Sequence, residues 1–347
     1  MADERVRDVQ NWLNQTYGGV SGFEKAPTDG KTGWETIYSL REALQKELKV
    51  SPLGQGFGDK TRGALQAKIG DLKVGYNGRI AKIIKGAFWC KGAGYSPSNF
   101  SEDYDDALTV AVKNLQADAG VKIDGKLTVN LMAALFDMSA FKLIYGRGDD
   151  KTRAMQQYLN GKFSNDLGIL PCDGIYQRET NTALIFALQK AIGVPGANGN
   201  YGEGTIKATP TIKFGELNPG EKADLIKVIQ YGLYVNGFYK SIFDGLFSSE
   251  VANSVIDFRK FMNLPPFTGD LDLTVIKGLL TSNGNTARGF NAVDTATQLS
   301  VQDVSSLKKA GITTVGRYLT GSVGTGQNKK DKNLTLGEIQ RITSAGL

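Results

Sequence analysis

The stretch Val9-Gln10-Asn11-Trp12-Leu13-Asn14 carries apolar residues at helical spacing around a central glutamine. The same phrase returns as Met155-Gln156-Gln157-Tyr158-Leu159-Asn160 and as Ile229-Gln230-Tyr231-Gly232-Leu233. A degenerate form, Ile84-Lys85-Gly86-Ala87-Phe88, lies between the first two. The equivalent positions are 75, 71 and 74 residues apart. This regular interval indicates an internal repeat.

A second helical phrase repeats in phase with the first. It begins as Ala43-Leu44-Gln45-Lys46 and recurs at residues 114–119, 187–192 and 257–262, with intervals of 71, 73 and 70 residues. Two independent phrases with one period predict four copies of a single structural unit.

Each unit is also punctuated by turns. Asp29-Gly30, Asp173-Gly174 and Asp244-Gly245 precede the second phrase, whereas the second copy has Ser101-Glu102-Asp103 at this point. A Gly-rich turn and a short apolar stretch, such as residues 131–135, follow each second phrase. Each unit is therefore predicted to contain three helices around one small core. We interpret the Asp-Gly pairs first as turns, because Asp and Gly favour that geometry without any ligand.

The pattern V-Q-x-x-L-N, D-G-x-x-x-x-E-T and A-L-Q-K resembles the type 1 peptidoglycan-binding domain. The resemblance covers about residues 5–285. It implies a mainly α protein with four small three-helix peptidoglycan-binding-like units in tandem. Their predicted bounds are 1–70, 71–148 (the degenerate unit), 149–220 and 221–285.

The partner that the resemblance implies is bacterial cell-wall peptidoglycan. We expect exposed aromatic side chains near the Asp-Gly turns to bind it, and the candidates are Trp34, Tyr176 and Phe247. Four modest sites on one chain would raise the avidity for a polymeric wall.

The last part of the chain, residues 286–347, has a different pattern. Strands are expected at 289–294 and 312–318, and helices at 301–310 and 336–345. This order of strand, helix, strand, helix predicts parallel strands with crossover connections.

The motifs G-F-x-x-x-D, A-G-I-x-x-V-G-R-Y-L-T and L-T-x-x-E-I-x-x-I-x-x-A-G-L resemble the start of the glycoside-hydrolase-like TIM barrel related to the family 25 lysozymes. In such barrels the functional residues follow the strands. The resemblance thus implies that Asp294 is catalytic and that Arg317 and Tyr318 bind substrate. Glycoside hydrolysis typically needs two carboxylates, and we place the partner of Asp294 on a later strand. Residues 286–347 are accordingly expected to be the N-terminal part of a barrel, and the chain a fragment that does not cleave glycan alone.

The composition excludes several classes of enzyme. The chain has no His and only 2 Cys, which excludes Ser-His-Asp and Cys-His catalysis and His- or Cys₄-ligated zinc. No metal and no cofactor are expected. Cys90 and Cys172 occupy non-equivalent positions in separate units, so we predict that both are free thiols.

Charge and hydropathy limit the partners. The 41 basic and 35 acidic residues leave a net charge of +6, too small and too dispersed to predict nucleic-acid binding. No apolar run is long enough to span a membrane. The N-terminus lacks the apolar core of a secretory signal. An extracellular or wall-associated protein of this kind would be exported by phage lysis or by a dedicated secretion system.

Three functions remain open from the sequence. The first is a wall-binding array that targets a C-terminal glycoside-hydrolase-like domain to peptidoglycan. The second is a non-catalytic wall-binding or phage-tail attachment protein. The third is an exported effector whose helical repeats dock onto another protein. The oligomeric state is open.

Overall fold

A computed structural model describes residues 2–92, 94–281, 291–319, 321–323 and 330–347. The chain divides into two compact units. The helical unit comprises Met1–Lys260 and Pro265–Ser282, and the C-terminal unit comprises Phe261–Leu264 and Asn283–Leu347. Within the described residues, no helix has both the length and the apolar character needed to cross a bilayer.

The described residues of the helical unit form twelve α-helices, which we group in chain order into four sets of three, called triplets. A short 3₁₀ helix, Ile69–Asp71, follows the first triplet. The α-helices are α1 (Glu4–Tyr17), α2 (Trp34–Glu47), α3 (Asp59–Lys68), α4 (Arg79–Lys91), α5 (Asp106–Ala119), α6 (Val129–Leu135), α7 (Asp150–Leu167), α8 (Arg178–Ala191), α9 (Glu203–Ala208), α10 (Ala223–Val235), α11 (Ser249–Met262) and α12 (Leu273–Thr281).

Short polar side chains begin several of these helices. The carboxylates of Asp105 and Asp149 accept hydrogen bonds from backbone N–H groups in the first turns of α5 and α7. The hydroxyl of Thr128 accepts from the N–H of Leu131 at the start of α6. These contacts satisfy donors that a helix leaves without an intrahelical partner, and they fix where each helix begins.

The core does not follow the predicted division into four small units. One cluster of buried apolar side chains includes residues from all of the first six helices, among them Leu13, Leu44, Leu65, Phe88 and Leu115. Both α1 and α2 pack against α4, which belongs to the next triplet. The expectation of a separate core in each triplet is therefore wrong for the first two triplets, because a pair of triplets encloses more apolar surface than one.

The second six helices repeat this cross-packing. Helix α10 packs against α8 and α12, and α12 also contacts α8. Helix α7 packs against α5 and so joins the second half of the helical unit to the first. The guanidinium of Arg153 on α7 pairs with the carboxylate of Asp118 on α5 at 2.7 Å.

The C-terminal unit has a small α/β arrangement. Its elements are β1 (Ala292–Thr295), α13 (Val301–Lys309), β2 (Thr314–Arg317), β3 (Ser322–Val323), β4 (Lys330–Asp331) and α14 (Leu336–Ser344). Strands β1 and β2 are parallel, with Asp294 opposite Gly316, as the strand-helix-strand order predicts. Strands β3 and β4 form a short antiparallel pair that the sequence did not predict. Leu299, Val304 and Ile342 form the small core of this unit.

The strands of this unit are shorter than expected. Residues 289 and 290 of the first expected strand lie outside the described residues. Strand β1 continues through Asp294 to Thr295, so Asp294 is exposed within the strand and does not follow it. Its expected position after the strand end is therefore wrong by one residue.

Candidate functional site

The Asp-Gly turns are organised by a buried glutamine, beginning with Gln10 on α1. The amide nitrogen of Gln10 donates to the Asp29 carboxylate at 3.2 Å and to the Thr36 hydroxyl at 3.0 Å. Its amide oxygen accepts from the N–H of Gly30 at 2.9 Å. Gly30 has a φ of +68°, a conformation that a Cβ atom disfavours. We call this arrangement an amide clamp, because one side-chain amide binds both sides of the turn.

The clamp recurs at the other two Asp-Gly pairs that precede a second phrase. Gln156 bonds to Asp173, Gly174 and Thr180 at 3.0, 2.9 and 3.2 Å. Gln230 donates to the Asp244 carboxylate at 2.7 Å, and its oxygen accepts from the N–H of Gly245 at 2.9 Å. The Asp-Gly pairs are thus turns, which confirms the structural interpretation.

The glutamine of the second phrase clamps the following turn in the same way. The amide nitrogen of Gln45 donates to the Gly56 carbonyl and to the Thr61 hydroxyl, at 2.8 and 3.2 Å. Gln116 accepts from the N–H of Gly125 at 2.8 Å, and Gln189 accepts from the N–H of Gly199 at 2.8 Å. The repeated sequence phrases therefore encode one repeated hydrogen-bond arrangement.

Two positions carry a buried cation where the other copies carry glutamine. The Lys85 ammonium donates to Asn99, Ser101 and Asp105 at 2.6, 3.0 and 2.7 Å. The Arg259 guanidinium pairs with the Asp272 carboxylate at 2.7 Å. Both cations are fully buried, so each needs its carboxylate partner. The copy that looks degenerate in sequence has exchanged an amide clamp for a cationic one.

The clamp side chains are buried, so a ligand would contact other side chains on the outer surface. One of these is Trp34, which is 46% exposed. The Trp34 ring stacks on the ring of Tyr38 one turn later, with centroids 5.6 Å apart and planes at 25°. The Arg41 guanidinium lies 5.6 Å from the Trp34 ring centroid and 5.8 Å from that of Tyr38. We call these three side chains on α2 the aromatic shelf.

The guanidinium of Arg41 fixes the shelf to the structure below. Its Nε donates to the Phe136 carbonyl at 2.7 Å, and one terminal nitrogen donates to the Gln55 carbonyl at 2.9 Å. The other lies 3.5 Å from the Asp137 carboxylate. A shelf held in this way loses little conformational freedom when a ligand covers it.

The other two aromatic candidates lie in other triplets. The Tyr176 hydroxyl donates to the Asn181 side chain at 2.5 Å, and burial raises the pKa of Tyr176 to about 12. Phe247 is half-buried and packs edge-on against Phe214. Among the described residues, the rings of Trp34, Tyr176 and Phe247 make no contact with one another. The structure therefore does not bring the three candidates into one site.

In the C-terminal unit, Arg317 forms a buried ion pair. Its guanidinium donates to both oxygens of Glu338, at 2.8 and 3.2 Å, and to the carbonyls of Thr295 and Lys332. Burial opposes ionisation of Glu338, but the Arg317 hydrogen bonds and the Leu299 N–H outweigh it and lower the pKa of Glu338. Arg317 thus ties β2 to α14 and β1, and its donors point into the protein.

The expected catalytic and binding residues nearby lie at the surface. Asp294 is exposed on β1 opposite Gly316. Tyr318 is 40% exposed, with the Lys332 ammonium 4.4 Å from its ring centroid. Glu338 is occupied by Arg317, and Asp303 completes a capping box with Ser300, so neither carboxylate is available to act with Asp294.

The acidic and thiol side chains form neither a metal site nor an activated nucleophile in the described residues. Within the residues that the structure describes, no group of three or more Cys, Asp or Glu side chains is arranged to hold a metal ion. Cys90 and Cys172 are both free and buried, which confirms the prediction of free thiols. Burial raises the pKa of each thiol to about 12, so neither is activated as a nucleophile.

Comparison with known families gives this geometry a context. The family model of the FadG/YbfG PGDB-like domain matches residues 1–136 and, a second time, residues 145–280. The chain belongs to this family. Each match contains two helix triplets, and the first coincides with the six helices that share one core. The matches end at residue 280, so the barrel resemblance of residues 286–347 stays a prediction.

Two relatives come from Bacillus subtilis (strain 168), and both are called uncharacterized proteins. YbfG is 42% identical over 352 residues, which cover 100% of this chain and 47% of YbfG. FadG is 37% identical over 352 residues, which cover 99% of this chain and 59% of FadG. The chain thus spans about half the length of the curated relatives it matches. No solved structure matches it significantly.

The two PGDB-like domains share further contacts at equivalent positions. In the first domain, Lys82 lies 5.1 Å from the Trp12 ring centroid, and in the second, Lys227 lies 5.0 Å from that of Tyr158. The N-terminal helix of each domain supplies a glutamine clamp, Gln10 or Gln156. The domains are therefore similar inside and differ mainly at their surfaces, where the aromatic shelf belongs to the first domain alone.

Proposed function

We propose that the helical unit binds peptidoglycan and that the aromatic shelf is a binding surface. The observation that carries this proposal is the exposed Trp34 ring stacked on the half-buried Tyr38 ring, with the buried Arg41 guanidinium fixed beside them. The name of the matched PGDB-like family supports the same partner.

The shelf suits the chemistry of the wall. An exposed aromatic face binds the apolar C–H face of a sugar ring, and burying it removes a large apolar area from water. The wall peptides carry carboxylates, which a guanidinium binds with charge-assisted hydrogen bonds. Three donors of Arg41 already bind Phe136, Gln55 and Asp137. The shelf would therefore bind a ligand mainly by stacking against its aromatic rings, and the charge of Arg41 would contribute less.

We further propose that the helix triplet is the repeating unit and that two triplets make one folded domain. The eight clamp positions, two in each triplet, support this division. Two linked domains would raise the avidity for a polymer, although each site alone is modest.

The role of the C-terminal unit is a separate proposal. We propose that the whole protein acts outside the cell and that its helical unit brings a glycoside-hydrolase-like domain containing Asp294 to the wall. The parallel pairing of β1 and β2 supports the proposal that this unit is the N-terminal part of a TIM barrel. The test is hydrolysis of labelled sacculi by a full-length relative and by its variant at the position equivalent to Asp294. Unchanged activity in that variant would remove Asp294 from the mechanism.

Wall binding is tested by co-sedimentation of the chain with purified sacculi and, for comparison, with cellulose. We expect retention on sacculi and not on cellulose. Trp34→Ala should lower retention severalfold, whereas Tyr145→Ala, a matched change at a ring that is 97% exposed, should not. Equal retention of all three proteins would exclude the shelf as the binding surface, and no retention at all would exclude wall binding.

A further inference from the structure

A groove of about 530 Å³ lies between the end of α6 and the first turns of α8. Its volume falls in the range of about 300–1,000 Å³ that is typical of small-molecule sites. The groove has an apolar wall and a charged rim of both signs. The wall includes Leu167, Leu170 and Pro171, and the rim includes Asp137, Arg178 and Glu179.

A second, polar groove of about 280 Å³ adjoins the first. Ile169 lines both grooves, so the two grooves are neighbours, and we treat them as two lobes of one surface. The second lobe is lined mainly by amide, hydroxyl and charged side chains, namely Lys122, Asp124, Thr128, Asn130, Ser164 and Asn165. We call the two lobes together the junction cleft, because the polar lobe is lined by residues of both PGDB-like domains and the first lobe by residues of the second domain and of the segment between the two domains.

The walls of the junction cleft are held in place by contacts between the two domains. The Asn130 amide donates to the Ser164 carbonyl at 2.7 Å and accepts from Arg62 at 2.9 Å. The Asn160 amide donates to the Ala119 carbonyl at 2.8 Å. The cleft is thus a preformed feature of the paired domains, and neither domain alone contains it.

A half-buried lysine fixes the Asp137 side of the cleft. The ammonium of Lys91 donates to the carbonyls of Asp137 and Ser139, at 2.5 and 2.8 Å. Asp137 also lies beside Arg41 of the aromatic shelf. One side of the charged rim therefore lies next to the aromatic shelf.

The rim offers unused charge. In the part of the chain that the structure describes, the exposed side chains of Arg178 and Glu179 form no ion pair or hydrogen bond. An arginine and a carboxylate on one rim complement a ligand that carries both a carboxylate and an ammonium group. The polar lobe, in contrast, offers the hydrogen-bonding groups that sugar hydroxyls need.

We propose that the junction cleft binds a disaccharide-peptide fragment of peptidoglycan, with the peptide in the charged lobe and the sugar in the polar lobe. This inference rests on the proposed wall-binding function, and it names the chemical class of ligand and assigns a second site. Arg178 binds a peptide carboxylate, Glu179 binds a peptide ammonium group, and Asn165 binds a sugar hydroxyl or acetamido group.

The test is calorimetric titration of the whole chain with three soluble probes. They are N-acetylglucosaminyl-N-acetylmuramic acid, the free wall tetrapeptide, and the disaccharide-tetrapeptide. We expect Arg178→Ala to weaken binding of both peptide-containing probes about tenfold, the effect of one lost charge-assisted hydrogen bond, and to leave the disaccharide unchanged. Asn165→Ala should weaken both disaccharide-containing probes about threefold to tenfold and leave the free peptide unchanged.

Matched controls are Lys207→Ala and Asn253→Ala, which change an exposed cation on α9 and an exposed amide on α11. Both should bind all three probes as the unchanged chain does. The inference is overturned if Arg178→Ala and Asn165→Ala also bind like the unchanged chain, or if each weakens all probes equally. Retention on sacculi that depends on Trp34 would then leave the proposed function standing. Conversely, probe-selective effects without sacculus retention would support the cleft and overturn the proposed function.

Discussion

The two PGDB-like domains have similar interiors and different surfaces. Gln10 and Gln156 clamp their turns with the same three kinds of contact at nearly the same distances. The first residue of the following helix is Trp34 in one domain and Arg178 in the other. The fold has thus retained the residues that fix its turns, while the exposed positions at the same place in the fold have diverged. The binding surface that we propose lies at positions that differ between the two domains.

The domains also differ in where the buried cation lies. In the first domain a cation replaces glutamine at Lys85 on α4, and in the second at Arg259 on α11. Each domain thus contains three amide clamps and one cationic clamp. This difference allows the structural role of the clamps to be tested by substitution.

The largest effect is expected for Lys85→Met. The change leaves the Asp105 carboxylate and the Asn99 amide without their buried donor. We expect the free energy of unfolding to fall by about 3–5 kcal/mol, as for one partner removed from a buried ion pair. Urea unfolding measures this. The control is Lys82→Met on the same helix, and a loss for Lys85→Met no larger than for Lys82→Met would contradict a structural role for this cation.

The next largest effect is expected at the first amide clamp of each domain, where Gln10 and Gln156 can be compared directly. Gln10→Ala and Gln156→Ala each leave a buried turn N–H without its acceptor and remove the amide that donates to a threonine hydroxyl. Each should lower the free energy of unfolding by about 1–3 kcal/mol. Because the geometries match, the two losses should agree within about 0.5 kcal/mol. A neutral result for one of them would show that its clamp is an incidental contact.

Acid should weaken the first domain through its cationic clamp. Burial opposes ionisation of Asp105, but hydrogen bonds from Lys85, Asn99 and the Leu108 N–H lower its pKa to about 2. The folded pKa lies below the unfolded value of about 3.9, so this stabilisation is present above about pH 4 and is lost as the pH falls to about 2.

The size of this loss is on the order of 1–2 kcal/mol, because Asp105 retains some exposure to solvent. Unfolding curves of the unchanged chain and of Asp105→Asn between pH 2 and 5 measure it. The difference between the two proteins should shrink toward pH 2. A difference that does not vary with pH would show that Asp105 does not bind Lys85 as an ionised group.

Much of the helical unit could be predicted from sequence, because its signals are local. Helical spacing around Gln10 and Gln45 predicts the helices, and the Asp-Gly pairs predict the turns. The shared core of two triplets could not be predicted, since periodicity shows which helix face is apolar and not which helix will cover it. The role of Lys85 was missed because a lysine inside a glutamine phrase resembles degeneration, and its partners Asn99 and Asp105 are distant in sequence.

The C-terminal unit was predicted less well. The strand-helix-strand order predicted the parallel pairing of β1 and β2. The pairing of Arg317 with Glu338 was not predicted, because it joins residues 21 positions apart and because the sequence had assigned Arg317 to substrate binding. At the proposed binding surface, the sequence named Trp34 as an aromatic residue near a turn, and this stays a prediction. The sequence did not name Tyr38 and Arg41, although their spacing of four and seven residues from Trp34 on a helix places them on the same face.

The central claim, that wall material covers the aromatic shelf, is tested most directly by the fluorescence of Trp34. The chain has 3 Trp, so Trp12→Phe with Trp89→Phe leaves Trp34 as the single reporter. On addition of solubilised peptidoglycan we expect the emission of Trp34 to shift to shorter wavelength, because the ligand displaces water from its exposed face. Emission that stays unchanged while the same protein is shown to bind the polymer would contradict the account, since the wall would then be bound somewhere else on the chain.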